Sequence, residues 1–368
     1  MSVQSDGFCQ CLGIFSVRDV LVIGGGIIGR FIALECQARG MTVTLIDAGQ
    51  SRPSASWAGG GILSPLFPWR YHASWRPLVS DSLDRYGQWR EVLRSETGLF
   101  PEINACGMLV RESEVEQARR WARDERVKLL PARESGISGG FSEKAELWMP
   151  DIAAVRNSRW LSALEVLCEH RGIRRVLSSV SDVVESAGAV EVCAGEERFR
   201  AGQAVVAAGY WSKALLKGLP FTEELMPVKG EMLLYQLEPG EIPAILLADS
   251  GYLIPRKDGL VLAGSTLNAG VQDMRPGAAA HQVLRESAAD WYPPLAKLQP
   301  VAHWAGVRPG NRRPQPIIGP IHQGSRICVA TGHFRNGLVS APATGQLVAE
   351  MVSGQPPFCE SQPYSPSS

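Results

Sequence analysis

The 368-residue sequence carries a few stretches whose residue types and spacing could do chemistry. Gly24-x-Gly26-x-x-Gly29 follows the apolar, β-branched run Asp19-Val20-Leu21-Val22-Ile23 and opens a helical stretch from Ile27. In that setting the first glycine permits a tight turn and the second lets backbone approach a pyrophosphate. The third allows close helix–strand packing, while the helix N-terminus stabilises phosphate charge. Asp47 stands 18 residues after Gly29, at the end of a second buried-strand pattern over Thr42 to Ile46. A carboxylate there is placed to accept from a ribose 2′-hydroxyl and disfavours a 2′-phosphate, which argues against NADP. The glycine pattern alone is a weak signal; with strand, helix and acid it points to an adenine dinucleotide, a plain glycine-rich turn being the alternative.

Thr331-Gly332-His333-Phe334-Arg335-Asn336-Gly337 joins a buried strand to a C-terminal helix expected around Leu338 to Val352. Amides converging at a helix N-terminus suit an anion, a reduced flavin ring or a substrate carboxylate; ordinary helix capping is the other reading. Arg308, held between Gly306 and the turn Pro309-Gly310, could grip a carboxylate bidentately or make a structural ion pair. Tyr252 in Gly251-Tyr252-Leu253-Ile254-Pro255-Arg256 could touch a ligand or simply pack in a strand.

Other patterns carry less. Gly136-Ile137-Ser138-Gly139-Gly140 fits a serine-hydrolase GxSxG but lacks the strand before and helix after that would expose the serine. There is no GxxxxGK[ST], so no P-loop. The eight cysteines form no CxxC pair and the histidines no HxxxH, so no metal site is expected. Lys plus Arg and Asp plus Glu both number 37, which argues against a nucleic-acid or anionic-membrane partner. The longest nearly apolar stretch, Val20 to Gly29, is about half a bilayer span. Free thiols and no export-type leader point to the cytoplasm.

The elements that must position these residues follow from periodicity. A strand, a helix from Ile27 to Arg39 closed by Gly40, and a second strand begin a βαβ unit, hence a parallel sheet. Pro53 to Pro68 reads as an ordered loop rich in Gly, Ser, Ala and Pro. Helices are expected at about Leu78 to Glu96, Glu112 to Glu125 and Leu161 to Arg171. Short strands follow from Arg174 to Val192, and Ala204 to Ala208 reads as a buried strand. Residues 225 to 307 alternate in short runs (Met232 to Tyr235, Ile245 to Leu247, Gly251 to Pro255, Leu260 to Ala263), as an antiparallel second domain would. The expected fold is α/β, a Rossmann-like nucleotide domain with an interleaved antiparallel-sheet substrate domain. Residues 1–17 read as an irregular arm, with Cys9-Gln10-Cys11 incidental. Segments 18–88, 153–219 and 305–355 form the nucleotide domain, 89–152 and 220–304 the substrate domain, and 356–368 a disordered tail.

The ordered set Val22-Ile23-Gly24-Gly25-Gly26-Ile27-Ile28-Gly29, Pro227-Val228-Lys229-Gly230-Glu231, Tyr252-Leu253-Ile254-Pro255-Arg256, Trp304-Ala305-Gly306-Val307-Arg308-Pro309-Gly310 and Gly332-His333-Phe334-Arg335-Asn336-Gly337 resembles the D-amino-acid oxidase family of flavoproteins, in its glycine-oxidising branch. The resemblance runs from about residue 18 to 355. It implies a glutathione-reductase-type FAD domain and noncovalent FAD, with the flavin carrying the chemistry and no catalytic side chain required. It implies that Gly24, Gly26, Ile27, Ile28, Gly29, Asp47 and Ala48 hold the ADP half, and that Ala55, Ser56, Gly60, Gly61 and Ile62 line the ribityl chain and ring. It further implies that Val180 touches the adenine side and that His333, Phe334, Arg335, Asn336, Gly337, Leu338 and Val339 cover the pyrimidine edge. Arg308 and Tyr252 would bind the substrate carboxylate, with Arg335 close by.

The implied reaction is oxidative deamination of glycine, sarcosine or small D-amino acids with O₂ as acceptor, the imine serving thiamine thiazole synthesis with a thiazole synthase as recipient. Tetramers are common in the family. Ile62 and Leu267 replace methionines that the family can carry near the flavin, and Trp57 and Trp69 are candidates to reshape the entrance. A D-amino-acid or sarcosine dehydrogenase or oxidase of the same fold, differing in substrate or in using a quinone acceptor, and a non-catalytic dinucleotide-binding sensor or scaffold, are the competing readings.

Overall fold

A computed structural model describes residues 19–49 and 54–367. The expected N-terminal arm 1–17, with its Cys9-Gln10-Cys11, lies outside the described residues.

The apolar run Asp19–Ile23 becomes a strand buried at every position but the first. It pairs in parallel with Thr42–Asp47 on one side and Gln203–Val206 on the other. Arg174–Leu177 extends the sheet beyond Thr42–Asp47, and Ile327–Thr331 extends it beyond Gln203–Val206, both in parallel. Ile317–Pro320 closes the six-stranded sheet as its antiparallel edge. Asp19–Ile23, Gln203–Val206 and Ile327–Thr331 are buried along nearly their whole length and read as continuous apolar runs, which is why they were legible. Arg174–Leu177 is only partly buried, and the edge strand Ile317–Pro320 was not anticipated.

One face is covered by helices Ile27–Ala38 and Ala341–Ser353. They approach closely because Gly345 lies against Phe31: a Cβ there would sit 2.7 Å from the Phe31 Cβ. The other face carries the antiparallel strands Val180–Ser186, Ala189–Ala194 and Glu197–Ala201, whose Val183, Val192 and Phe199 share a core with Leu21 and Ile23. Helix, parallel sheet and a small antiparallel sheet thus form three layers.

The second sheet is nine-stranded and antiparallel save for one parallel pair, Ile245–Ala248 beside Met108–Val110. Its long strand Leu225–Gln236 pairs with Leu260–Gly264 and with Ala302–Asn311. Helix Ala278–Trp291 packs Leu284, Ala288 and Trp291 onto it.

Several expected boundaries shift. Helix Ser82–Thr97 places Tyr86 and Leu93 in the core of the first sheet, so a division at 88/89 would cut a continuous helix. Ala302–Asn311 pairs along its whole length with Leu225–Gln236, so 305–311 belongs to the second sheet and the chain returns to the first at Ile317–Pro320. The last long helix starts at Ala341, not Leu338, because Pro342 lacks an amide hydrogen and is tolerated only in a first turn. Residues 332–340 are a loop of turns, with the Ser340 amide donating to Asn336 O at 3.0 Å.

The expected disordered tail is instead docked. Tyr364 is 1% exposed and donates to Ser74 O at 2.6 Å, and Arg313 donates to Pro363 O and Ser365 O. A buried aromatic offsets the polar, Pro- and Ser-rich composition that suggested disorder. No helix among the described residues is long and apolar enough to cross a membrane.

Candidate active site

The glycine turn is built by close approach. Gly24 has φ +112° and a Cβ there would lie 2.5 Å from Ala207 O, so the turn nests on the neighbouring strand end. A Cβ on Gly29 would fall onto Gly24 O, which makes Gly29 the packing glycine; it stands behind the cavity wall rather than in it. Asp47 Oδ2 accepts from the Gly25 amide at 2.6 Å and Oδ1 from the Gly49 amide at 3.0 Å. Ser56 Oγ accepts from the Ile27 amide at 2.9 Å, tying the loop after residue 54 to the helix start.

A cavity of about 690 Å³ runs from this turn to the second sheet. Gly24, Gly26, Ile27, Ile28, Asp47, Ala48, Ala55, Ser56, Gly60, Gly61, Ile62 and Val180 line it, as do Tyr252, Arg308, His333, Phe334, Arg335, Gly337 and Leu338. Two further expected residues do not: Asn336 and Val339 are buried and serve the loop, Asn336 O accepting from Ser340 N and Oγ. Asp47 is the one carboxylate among the described lining residues.

At the second-sheet end Arg308 donates to Ser265 Oγ at 2.9 Å and to Thr266 O at 3.2 Å. No acidic side chain among the described residues is paired with it. Burial lowers its pKa, the Tyr252 hydroxyl raises it, and Arg335 lowers it by like-charge repulsion. A guanidinium drawn from water without an acid partner is costly unless an anion completes it. Tyr252 is buried, its ring against Gly60 and its hydroxyl 3.4 Å from Met232 Sδ, so it both packs and reaches the cavity.

His333 lies fully buried beneath the loop, Nε2 3.2 Å from Thr344 Oγ1, and burial pushes its pKa down to about 3. It is neutral at ordinary pH. The two positions expected near the flavin separate: Ile62 lines the cavity, whereas Leu267 is exposed and does not. Trp57 packs edge-on against Trp304, and Trp69 is buried with Nε1 donating to Glu112 at 2.7 Å; neither lines the cavity.

Sequence reading missed Ser265, which holds Arg308, and Asn157, whose Nδ2 donates to Ser56 O at 2.8 Å and Gly59 O at 3.0 Å. It also missed Ser178 and Ser179 beside Val180. None belongs to a linear pattern; they arrive from distant segments. The Gly251–Arg256 stretch did offer one neglected signal, an arginine closing a strand of buried residues.

Residues 19–351 match the family model described as FAD dependent oxidoreductase (DAO). The glycine oxidase of Pseudomonas aeruginosa is 39% identical over 365 residues, covering 95% of this chain and 98% of that protein. The bifunctional protein ThiO/ThiG of Synechocystis is 30% identical, over 92% of this chain and 52% of its own length. The crystal structure of glycine oxidase from Geobacillus kaustophilus superposes with a TM-score of 0.88 at 25% identity, covering 95% of this chain and 98% of that one.

Proposed function

Because the chain belongs to the FAD-dependent oxidoreductase family DAO, we propose that it oxidises glycine, with sarcosine and small D-amino acids as lesser substrates. The residues present fit FAD. The turn Gly24–Gly26 leaves backbone bare at a helix start, Asp47 is tied to that turn, and the cavity continues unbroken to the second sheet. Noncovalent attachment is part of the proposal: among the described residues no cysteine lines the cavity, and its one histidine, His333, is buried.

The observation that carries the substrate reading is Arg308, a cation with no acidic partner among the described residues that faces the cavity from the second sheet. It would grip the amino-acid carboxylate, with Tyr252 beside it and Ser265 and Thr266 fixing the guanidinium plane. That grip sets Cα against the cofactor, and enclosure by Ile62, Leu66 and Tyr252 limits water. When bound, FAD would supply the redox chemistry, a two-electron oxidation at Cα with O₂ as the final acceptor giving H₂O₂. A neutral amine needs no general base, which suits an end lined by Arg308 and Arg335 with no acid among the described residues. The imine hydrolyses to glyoxylate and ammonia or passes on to a thiazole synthase, a use supported by the Synechocystis fusion protein. A cytoplasmic homo-oligomer, a tetramer by resemblance, completes the proposal.

The visible spectrum before and after anaerobic glycine tests it. Flavin bands that bleach with glycine and return in air support an oxidase. Bands that bleach but recover only with a quinone convert the reading to a dehydrogenase. Bands that respond to sarcosine or D-proline and not to glycine reassign the substrate.

A further inference from the structure

Arg256 closes the strand Gly251–Pro255 and is 4% exposed, yet no acidic side chain among the described residues pairs with it. Asp258, close in sequence, is taken by Arg156 at 2.6 Å. Arg256 donates through Nη1 to Val155 O at 2.8 Å and through Nη2 to Gly60 O at 2.7 Å, while Nε has no partner. Burial lowers its pKa to about 10, which leaves it charged at neutral pH.

The loop it holds is the cavity wall. Gly60 and Gly61 line the cavity, and a Cβ on Gly61 would lie 2.1 Å from Val155 O, so this wall sits tightly on the segment Arg256 also binds. Asn157 draws the Ser56 and Gly59 carbonyls, and Arg256 draws that of Gly60. Three carbonyls of one short loop are thereby engaged by side-chain donors. A structural staple would need only those donors. Glu102 and Asp258 act on Arg256 from beyond ion-pair distance, and no carboxylate among the described residues contacts it. A buried cation without a contacting acid costs more than a neutral donor would, so its charge calls for a separate account.

Building on the reading that this wall faces the flavin, we propose that Arg256 is a positioning residue. It fixes the Gly59–Ile62 wall and supplies a buried positive charge that favours the reduced cofactor. The hydride leaving Cα carries two electrons and one proton, so the amine becomes a cationic iminium and one negative charge arrives on the flavin. A fixed cation behind the wall stabilises that charge without moving.

Arg256→Lys and Arg256→Gln separate charge from hydrogen bonding, since each can donate to Gly60 O and only lysine is charged. The midpoint potential of the bound flavin is read by dithionite titration with a reference dye, and FAD affinity by titrating apoprotein. Neither readout involves an amino acid, so a wrong substrate assignment leaves the test intact. The Gln variant is expected to lower the two-electron reduction equilibrium at least tenfold, about 30 mV. The Lys variant should keep a potential close to the wild type. Both should bind FAD more weakly, having lost one of two contacts. Equal potentials in the Lys and Gln variants would reduce Arg256 to a staple. Should Gln fail to fold, a Lys variant whose potential falls by the same tenfold overturns the charge role by itself.

Discussion

Gly230 lies directly beneath the Arg308 guanidinium: a Cβ on Gly230 would sit 2.0 Å from Nη1 and 2.3 Å from Cζ. The two belong to paired strands, with Val228 opposite Arg308 and Gly230 opposite Gly306. The bare backbone at 230 is what lets the guanidinium lie flat along the sheet and meet Ser265 and Thr266.

Gly230→Ala should therefore behave as a mild Arg308 variant. Arg308→Ala is expected to lose on the order of 10²- to 10⁴-fold in kcat/KM, with FAD retained. Gly230→Ala should lose about tenfold or more, mainly through KM, because the guanidinium is displaced and not removed. Steady-state kinetics with glycine, together with the flavin spectrum, check both; an unchanged kcat/KM in Arg308→Ala removes it from the site.

Asp47→Ala should weaken FAD binding at least tenfold. Its carboxylate organises the glycine turn through the Gly25 and Gly49 amides, and charge-assisted bonds of this kind contribute about 1.5–3 kcal/mol each. Titration of apoprotein with FAD measures the loss, and NADP should not replace FAD in either protein.

His333 makes stability fall with acid. Its folded pKa is lowered by burial from 6.5 to about 3, so above pH 6.5 it contributes no proton linkage. Below 6.5 the unfolded chain binds a proton that the folded chain does not, and stability declines as pH falls toward 3. His333→Gln should flatten that part of the curve, seen by comparing melting temperatures of the two proteins between pH 7 and 4. An identical slope in both would show that other groups set the acid sensitivity.

Tyr364→Ala should cost about 3 kcal/mol, the range for emptying a buried aromatic site. The ring is 1% exposed and its hydroxyl holds the Ser74 carbonyl, next to Trp75, whose ring packs edge-on against His333. Denaturant unfolding measures the loss. Weakened FAD retention would accompany it if the tail supports the 332–340 loop through Trp75.

Much of the nucleotide half was legible because its signals are local. Continuous apolar runs, three spaced glycines and a terminal acid occupy under thirty residues, from Asp19 to Asp47. The strand Gly251–Pro255 was equally plain. Boundaries were less so: a strand that belongs to the second sheet carries Arg308, and nothing local says which sheet Ala302–Asn311 will join.

By itself the sequence determined the family, the two-sheet plan and many of the residues that converge on the cavity, since strand and turn patterns act over a few residues. Only tertiary structure decided which charges stay unpaired. Arg308 and Arg256 look like any arginines until folding brings Ser265, Val155 and Gly60 to them and no carboxylate among the described residues within ion-pair distance. Trp69 was likewise sent into a core beside Glu112, and the Pro- and Ser-rich tail was anchored by Tyr364. Pairing and burial depend on segments tens to hundreds of residues apart, and no spacing along the chain encodes which of them will meet.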